Sequence, residues 1–222
     1  LCEFLKGGSL SSTNETLFKN IFLIPPGTWF KTDSSGNRIS RVWWNTLENL
    51  PVIPSNESDQ IEQYKELFED AIKIRLRSDV PVSSLLSGGL DSSSIVCTIH
   101  NFTESLIKER KNSRLAPNWQ QTFTATYPGL SADESEYAEM VLQKTGIKGK
   151  MVQPKVEDIH STFEEMIRSQ DSPIGQSLFA VHSVYREVGR TGIKVTLDGQ
   201  GADEALSGYE TMTAAREYLY KF

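Results

Sequence analysis

Ser87-Gly88-Gly89-Leu90-Asp91-Ser92-Ser93 follows directly on the apolar run Val80-Pro81-Val82-Ser83-Ser84-Leu85-Leu86, and this junction decides how the chain is read. A strand that ends in two glycines and hydroxyls, with a helix straight after, presents bare backbone N–H groups at a helix N-terminus. Such a turn is a ready-made anion site. Gly88 and Gly89 carry no Cβ, so phosphate oxygens can approach the main chain. Ser87, Ser92 and Ser93 supply hydroxyl donors, and Asp91 supplies a carboxylate for a divalent cation. The plainer alternative is a Gly-Gly bend with an Asp or Ser helix cap. At average residue usage, however, S-G-G-x-D-S arises at on the order of one position in a million. Its place between strand and helix favours a nucleotide pyrophosphate site.

Other phosphate motifs are excluded. There is no Gly-Lys-Ser or Gly-Lys-Thr, so the lysine-bearing P-loop is missing. The second Gly-rich run, Gly199-Gln200-Gly201-Ala202-Asp203-Glu204, has Glu204 where a dinucleotide fingerprint requires its last glycine. No G-x-S-x-G elbow is present, which removes the common hydrolase signature.

Outward from the junction, helical and strand patterns alternate. Glu57–Ser78 carries Ile61, Tyr64, Leu67, Phe68, Ala71 and Ile72 at helical spacing. After the strand to Leu86, a helix is expected from about Ser92 to Arg110, with Ile95, Val96, Ile99, Phe102 and Leu106 inward, then a basic solvated loop over Lys108–Asn118. A strand over Gln121–Tyr127 follows. Ser131 and Glu134 have the spacing of a capping box, opening a helix that ends near Gly146. A strand at Lys150–Gln153, helices at Val156–Ser169 and Leu178–Arg190, and a strand at Ile193–Leu197 complete the pattern. This predicts an α/β fold, a parallel sheet with helices on both faces. Ligands of such sheets sit beyond the strand C-termini, where both Gly-rich runs fall.

The N-terminal part reads differently. Ile21–Phe30 reads as two short strands about a Pro-Gly turn, and Asp33-Ser34-Ser35-Gly36 turns into a third, Arg38–Trp44. Leu50–Ser58, with two prolines and polar filler, reads as a linker.

Ser87–Ser93 resembles the pyrophosphate loop of the glutamine-hydrolysing asparagine synthetase family, a loop shared with other ATP-pyrophosphatase enzymes. Leu197-Asp198-Gly199-Gln200-Gly201-Ala202-Asp203-Glu204-Ala205-Leu206-Ser207-Gly208-Tyr209 is similar to the second signature of the asparagine synthetase branch. Phe123–Gly129 is similar to the strand lining the adenine pocket, and Gln170–Ile174 to the segment before the second signature. The likeness runs from about Glu57 to Tyr209, and more faintly back to the N-terminus.

That resemblance implies an adenine-nucleotide α-hydrolase-like domain over 59–222, incomplete at its C-terminus. Before it come a linker at 50–58 and, over 1–49, a β remnant closing a glutaminase domain. It implies attack of a carboxylate on the α-phosphorus of ATP, then displacement of AMP by ammonia. Ser87, Gly88, Gly89, Ser92 and Ser93 would hold the β- and γ-phosphates. Leu86 and Ala125 would bracket the adenine, with Asp198 and Gly199 toward the ribose or α-phosphate. Asp91 and Asp203, with Glu204 beside it, would carry Mg²⁺. Aspartate, or another carboxylate, would be the acceptor, with ammonia from glutamine supplied by a glutaminase domain of the same chain. The resemblance also admits a homodimer and places the protein in the cytoplasm.

Two positions depart from the pattern. Gln200 stands where well-studied asparagine synthetases carry glutamate, and Asp198 replaces a serine. Glutamine hydrogen-bonds but cannot act as a general base. A different acceptor, a cyclising β-lactam-type or polysaccharide- or peptide-modifying reaction, and a non-catalytic ATP-binding module therefore stay open.

Composition bounds the partners. At 222 residues with net charge −6, the chain lacks the basic footprint of a nucleic-acid surface, and an acidic protein that binds ATP needs a cation. Cys2 follows a leucine rather than opening the chain and reads as structural; two cysteines give no disulfide framework. No apolar stretch reaches membrane length. His100, His160 and His182 show no metal-ligand spacing with the cysteines.

Overall fold

Two of the three strands expected near the N-terminus form, and the first does not. The computed structural model describes residues 14–108, 120–170, 178–206 and 208–209. Cys2, most of the basic loop and residues 171–174 therefore lie outside the described residues. The chain divides into two compact units, Leu1–Ile61 and Glu62–Phe222.

In the first unit, β1 (Thr28–Thr32) and β2 (Arg38–Val42) pair antiparallel, with Thr28 opposite Val42 and Thr32 opposite Arg38. The Asp33 carboxylate accepts bonds from the Ser35 and Asn37 amides and from Asn37 Nδ2, closing the turn. The Asn37 side chain, first among these donors, holds the Asp33 carboxyl below its ordinary range. Ile21–Ile24 is not a strand. It contributes only the isolated bridge between Glu15 and Phe22, because Pro25 and Pro26 follow with no N–H to donate to a ladder. β2 stops at Val42, where the chain turns so that Trp43 and Trp44 donate to the Gly27 carbonyl. Gly27 has φ +63, and a Cβ there would strike the Trp44 carbonyl. Trp43 and Trp44 are both exposed.

Helix α1 (Glu57–Arg75) starts inside the expected linker. Asn56 drives this: its side chain accepts from the Ser58 N–H at 2.9 Å, an N-cap bond. Its buried stripe is narrower than expected. Ile61, Tyr64 and Leu67 are exposed, while Phe68, Ile72 and Leu76 face the core four residues apart.

The second unit is a parallel four-stranded sheet in the order β5-β4-β3-β6, with β3 (Val82–Leu85), β4 (Gln120–Ala125), β5 (Lys148–Val152) and β6 (Val195–Thr196). β3 begins after Pro81, which cannot donate to the ladder. β6 is shorter than expected, pairing only with Val82 and Ser83, and the Leu197 N–H extends it by one bond to the Ser83 carbonyl. Helices α2 (Leu90–Lys108), α3 (Ser135–Thr145), α4 (Val156–Gln170), α5 (Leu178–Arg190) and α6 (Ala202–Leu206) complete the unit.

Both faces of the sheet are covered. Leu86 packs with Val96 of α2 and Ala138 of α3, and Val82 with Ile72, Ile95 and Ile99. On the opposite face Phe123 packs with Val184 and Val188 of α5 and with Ile193. Full burial of each such large side chain contributes about 1.5–3 kcal/mol. Ser83, Ser84, Thr122 and Thr124 sit in these strands with buried hydroxyls that find no partner among the described residues. Serine and threonine here fill the small and valine-shaped spaces of a strand covered on both sides.

The capping box at α3 does not form. Glu134 is the N-cap residue but makes no side-chain cap bond, and the Ser135 N–H donates instead to Asp133 Oδ1 at 3.1 Å. Gly146 closes α3 as expected, at φ +68 with its N–H on the Leu142 carbonyl.

Candidate functional site

The loop after β3 is held from within by its own hydroxyls. Ser92 Oγ accepts from the Ser87 N–H at 3.2 Å, donates to the Gly89 carbonyl at 3.2 Å and lies 3.0 Å from Ser87 Oγ. Ser87 Oγ in turn accepts from the Gly89 N–H at 3.3 Å. Ser92 is buried, so it straps the loop shut, while Ser87 is exposed at its mouth. α2 starts at Leu90, two residues before the expected Ser92, which places Asp91, half-buried, in its first turn. The helix dipole favours anionic ligands at that end.

Gly88 could not be another residue. Its φ is +99, and a Cβ would stand 2.5 Å from the Glu134 carbonyl oxygen and 3.1 Å from Tyr137 Cβ. The loop is thus tucked against the start of α3, a long-range fit that requires the missing side chain.

The second Gly-rich run comes to the same place. A Cβ on Gly199 would lie 3.1 Å from the Ser92 amide nitrogen and 3.3 Å from Asp91 Cβ. The residue after β6 therefore touches the first turn of α2, and the two runs form one locus beyond the C-terminal ends of β3 and β6. Asp203 stands in the first turn of α6, half-buried. The Gly208 N–H donates to its carbonyl at 2.9 Å, and a Cβ on Gly208 would collide with its carboxylate. Glu204 is exposed and accepts from Tyr209 OH at 3.3 Å; its charge raises the phenol above its ordinary range. Gln200 is exposed.

Two of the expected site residues have partners of their own inside the protein. Leu86 is fully buried and packs with Val96 and Ala138, and its N–H is given to the Phe123 carbonyl at 2.9 Å. The Asp198 carboxylate is engaged within the protein. Oδ1 accepts from the Leu85 N–H at 3.0 Å, and Oδ2 accepts from Tyr185 OH at 2.6 Å and Thr196 Oγ1 at 3.0 Å. Burial, with the Asp198 carboxylate beside it, pushes the Tyr185 phenol up to about 12. Tyr185 carries no motif, and Thr196, only two residues before Asp198, belongs to a Thr-x-Asp spacing too common to announce a site. Ala125, the last residue of β4, packs half-buried beside Phe123 and Val152.

Among the described residues no three His, Cys, Asp or Glu side chains converge as a metal cage. Mg²⁺ in nucleotide sites is held by one or two carboxylates together with phosphate oxygens and water. Half-buried Asp91, beside the contact between the two runs, and Asp203, four residues past Gly199, fit that mode.

The chain is an α/β protein whose two glycine-rich runs meet at the C-terminal ends of its parallel strands, where ligands of such sheets bind. The family model described as asparagine synthase matches residues 63–220, and the chain belongs to that family. It is 31% identical over 198 residues (88% of this chain, 35% of the relative) to a provisionally named glutamine-hydrolysing asparagine synthetase of Methanocaldococcus jannaschii. It is 27% identical over 217 residues (95% of this chain, 32% of the relative) to the amidase chyE of Penicillium rubens. Identity to asparagine synthetase 1 of Bacillus subtilis, named as glutamine-hydrolysing, is 25% over 197 residues (87% of this chain, 28% of the relative). The chain spans about a third of the length of these curated relatives. No helix among the described residues is long and apolar enough to cross a membrane.

Proposed function

We propose that the chain carries the ATP site of an enzyme that adenylates a carboxylate and passes it to ammonia, forming an amide. The observation that supports this most is the contact of Gly199 with Asp91 and Ser92, which joins the two runs into one cradle. A triphosphate laid across it meets the N–H groups of Gly88 and Gly89 and the hydroxyls of Ser87 and Ser93 at its β- and γ-phosphates, with the main chain of Asp198 and Gly199 toward the ribose and α-phosphate. The adenine lies beyond Ala125 and the main chain of Leu86.

Asp91 and Asp203 would hold Mg²⁺, with Glu204 at the rim, and the bound cation would neutralise charge on the transferring phosphates. The chain's own groups position and screen, which is most of what in-line displacement at phosphorus requires. Attack by the carboxylate oxygen on the α-phosphorus breaks the bond to the bridging oxygen, and pyrophosphate leaves. Ammonia then adds to the acyl carbon and AMP departs. Gln200, exposed beside this cradle, offers an amide to hydrogen-bond the acceptor and no base, so the proton that ammonia sheds on forming the amide passes to solvent.

The ammonia would come from glutamine through a glutaminase domain belonging to the same protein, of which 1–49 is the end and 50–56, ahead of α1, the link. Aspartate is the first acceptor to test, giving asparagine in the cytoplasm. A different acceptor is the second reading. It is favoured by Gln200 and by the relative named as an amidase. ATP–pyrophosphate exchange measured with a panel of acids separates the two: strict dependence on aspartate supports asparagine synthesis, and indifference to aspartate with response to another acid supports the second reading. Mg-ATP binding without exchange for any acid would overturn both and leave a binding module.

A further inference from the structure

We propose that Asp198 is a positioning residue whose three hydrogen bonds set the spacing of the two glycine-rich runs, and with it the grip on a ligand that spans both. The proposal rests on the ATP reading above and assigns to the Asp198 side chain a task inside the protein. Its carboxylate gathers one donor from each of three elements: the Leu85 N–H at the end of β3, Tyr185 OH on α5 and Thr196 Oγ1 at the end of β6.

Leu85 is two residues before Ser87, and Gly199 is the residue after Asp198. The bond from Leu85 to Asp198 therefore ties the root of the first run to the root of the second. Gly199 then abuts Asp91 and Ser92 with no room for a side chain. Only a forked acceptor can serve Leu85 with one oxygen and Tyr185 and Thr196 with the other, and an anionic fork strengthens all three bonds. Thr196 is itself paired with Ser83 in the sheet, so the carboxylate is braced against the rigid part of the fold. The raised Tyr185 phenol stays protonated and donating across the physiological range.

The consequence is selective. Mg-pyrophosphate rests on the Ser87–Ser93 loop and meets the second run through its cation alone, whereas Mg-ATP also lays its ribose and α-phosphate along the main chain of Asp198 and Gly199. Binding of Mg-ATP and of Mg-pyrophosphate to the full chain is measured by titration calorimetry for wild type, Asp198→Ala, Tyr185→Phe and Thr196→Val. Asp198→Ala is expected to weaken ATP by about tenfold or more, with pyrophosphate changed less than about twofold. Tyr185→Phe and Thr196→Val should each weaken ATP by roughly threefold and carry the test if Asp198→Ala fails to fold. Tyr185→Phe added to Asp198→Ala should cost nothing further, because its partner is already gone.

Equal loss for both ligands would reduce Asp198 to a general stabiliser and overturn the proposal. So would unchanged ATP affinity in Tyr185→Phe and Thr196→Val together. Wild-type chain that binds neither ligand would overturn the ATP reading itself, and this proposal with it.

Discussion

Gly199 lies against the first turn of α2, where a Cβ added to it would stand 3.1 Å from the amide nitrogen of Ser92. That separation is tighter than ordinary contact, so a larger residue must push one run away from the other. Gly199→Val is expected to cost about 1–3 kcal/mol of stability through overpacking. It should also abolish the rise in melting temperature that Mg-ATP gives the wild type. A thermal-shift titration checks both at once, and retained ATP stabilisation in Gly199→Val would count against a ligand spanning the runs.

Gly88→Ala tests the other close approach. The left-handed backbone alone strains alanine by about 1–3 kcal/mol, and the new methyl group meets the Glu134 carbonyl on α3, a backbone atom that cannot swing aside. The loop must therefore shift. The variant should melt several degrees lower, at about 2–4 °C per kcal/mol for a chain of this size, and lose pyrophosphate as well as ATP. Loss of both ligands distinguishes it from Asp198→Ala.

Asp91→Ala removes a half-buried carboxylate that makes no bond to the strap formed by Ser87, Gly89 and Ser92. Its apo melting temperature should stay within about 2 °C of wild type, as befits a substitution away from the packed core. Its Mg-ATP stabilisation should vanish, as should that of the wild type when the metal is withheld. Unchanged Mg-ATP stabilisation would remove Asp91 from the metal site.

The sheet was legible because each element repeats its own period. Phe123, flanked by Thr122 and Thr124, reads as a buried strand, and Ala138 with Val141 and Leu142 as a helix face. Local competition blurred the ends. Helix α3 opens at Ser135 with Glu134 as its N-cap residue, too late for a Ser131–Glu134 box, and Asn56 started α1 within a stretch that composition marks as linker. The partners of Asp198 were beyond reach, since Leu85 is 113 residues away and Tyr185 sits in a helix whose periodicity says only that it is amphipathic. The motif told where the glycines matter; only the fold tells that Gly88 answers to α3 and Gly199 to α2.

The edge strand β5 supplies a last test, through pH. Glu187 on α5 is enclosed, 15% exposed at its side chain, and pairs with Lys150 of β5 and with Arg190 at 3.0 Å. The three line a polar groove of about 260 Å³ together with Arg186 and Asp158. Hydrogen bonds from Lys150 first and Arg190 second hold the Glu187 carboxyl below its ordinary range. A depressed carboxyl contributes stability that is present above the unfolded value, near pH 4.3, and is lost as pH falls through the folded one. Glu187→Gln should therefore melt lower than wild type at pH 7, by an amount set by about 0.5–1 kcal/mol for a mostly exposed pair of cations. The gap should persist down to about pH 5 and close as the wild type protonates below the unfolded value. Melting temperatures of the two proteins in low salt from pH 7 to pH 3 give the comparison. A gap that stays constant down to pH 3 would show that Glu187 acts through packing and not through its charge.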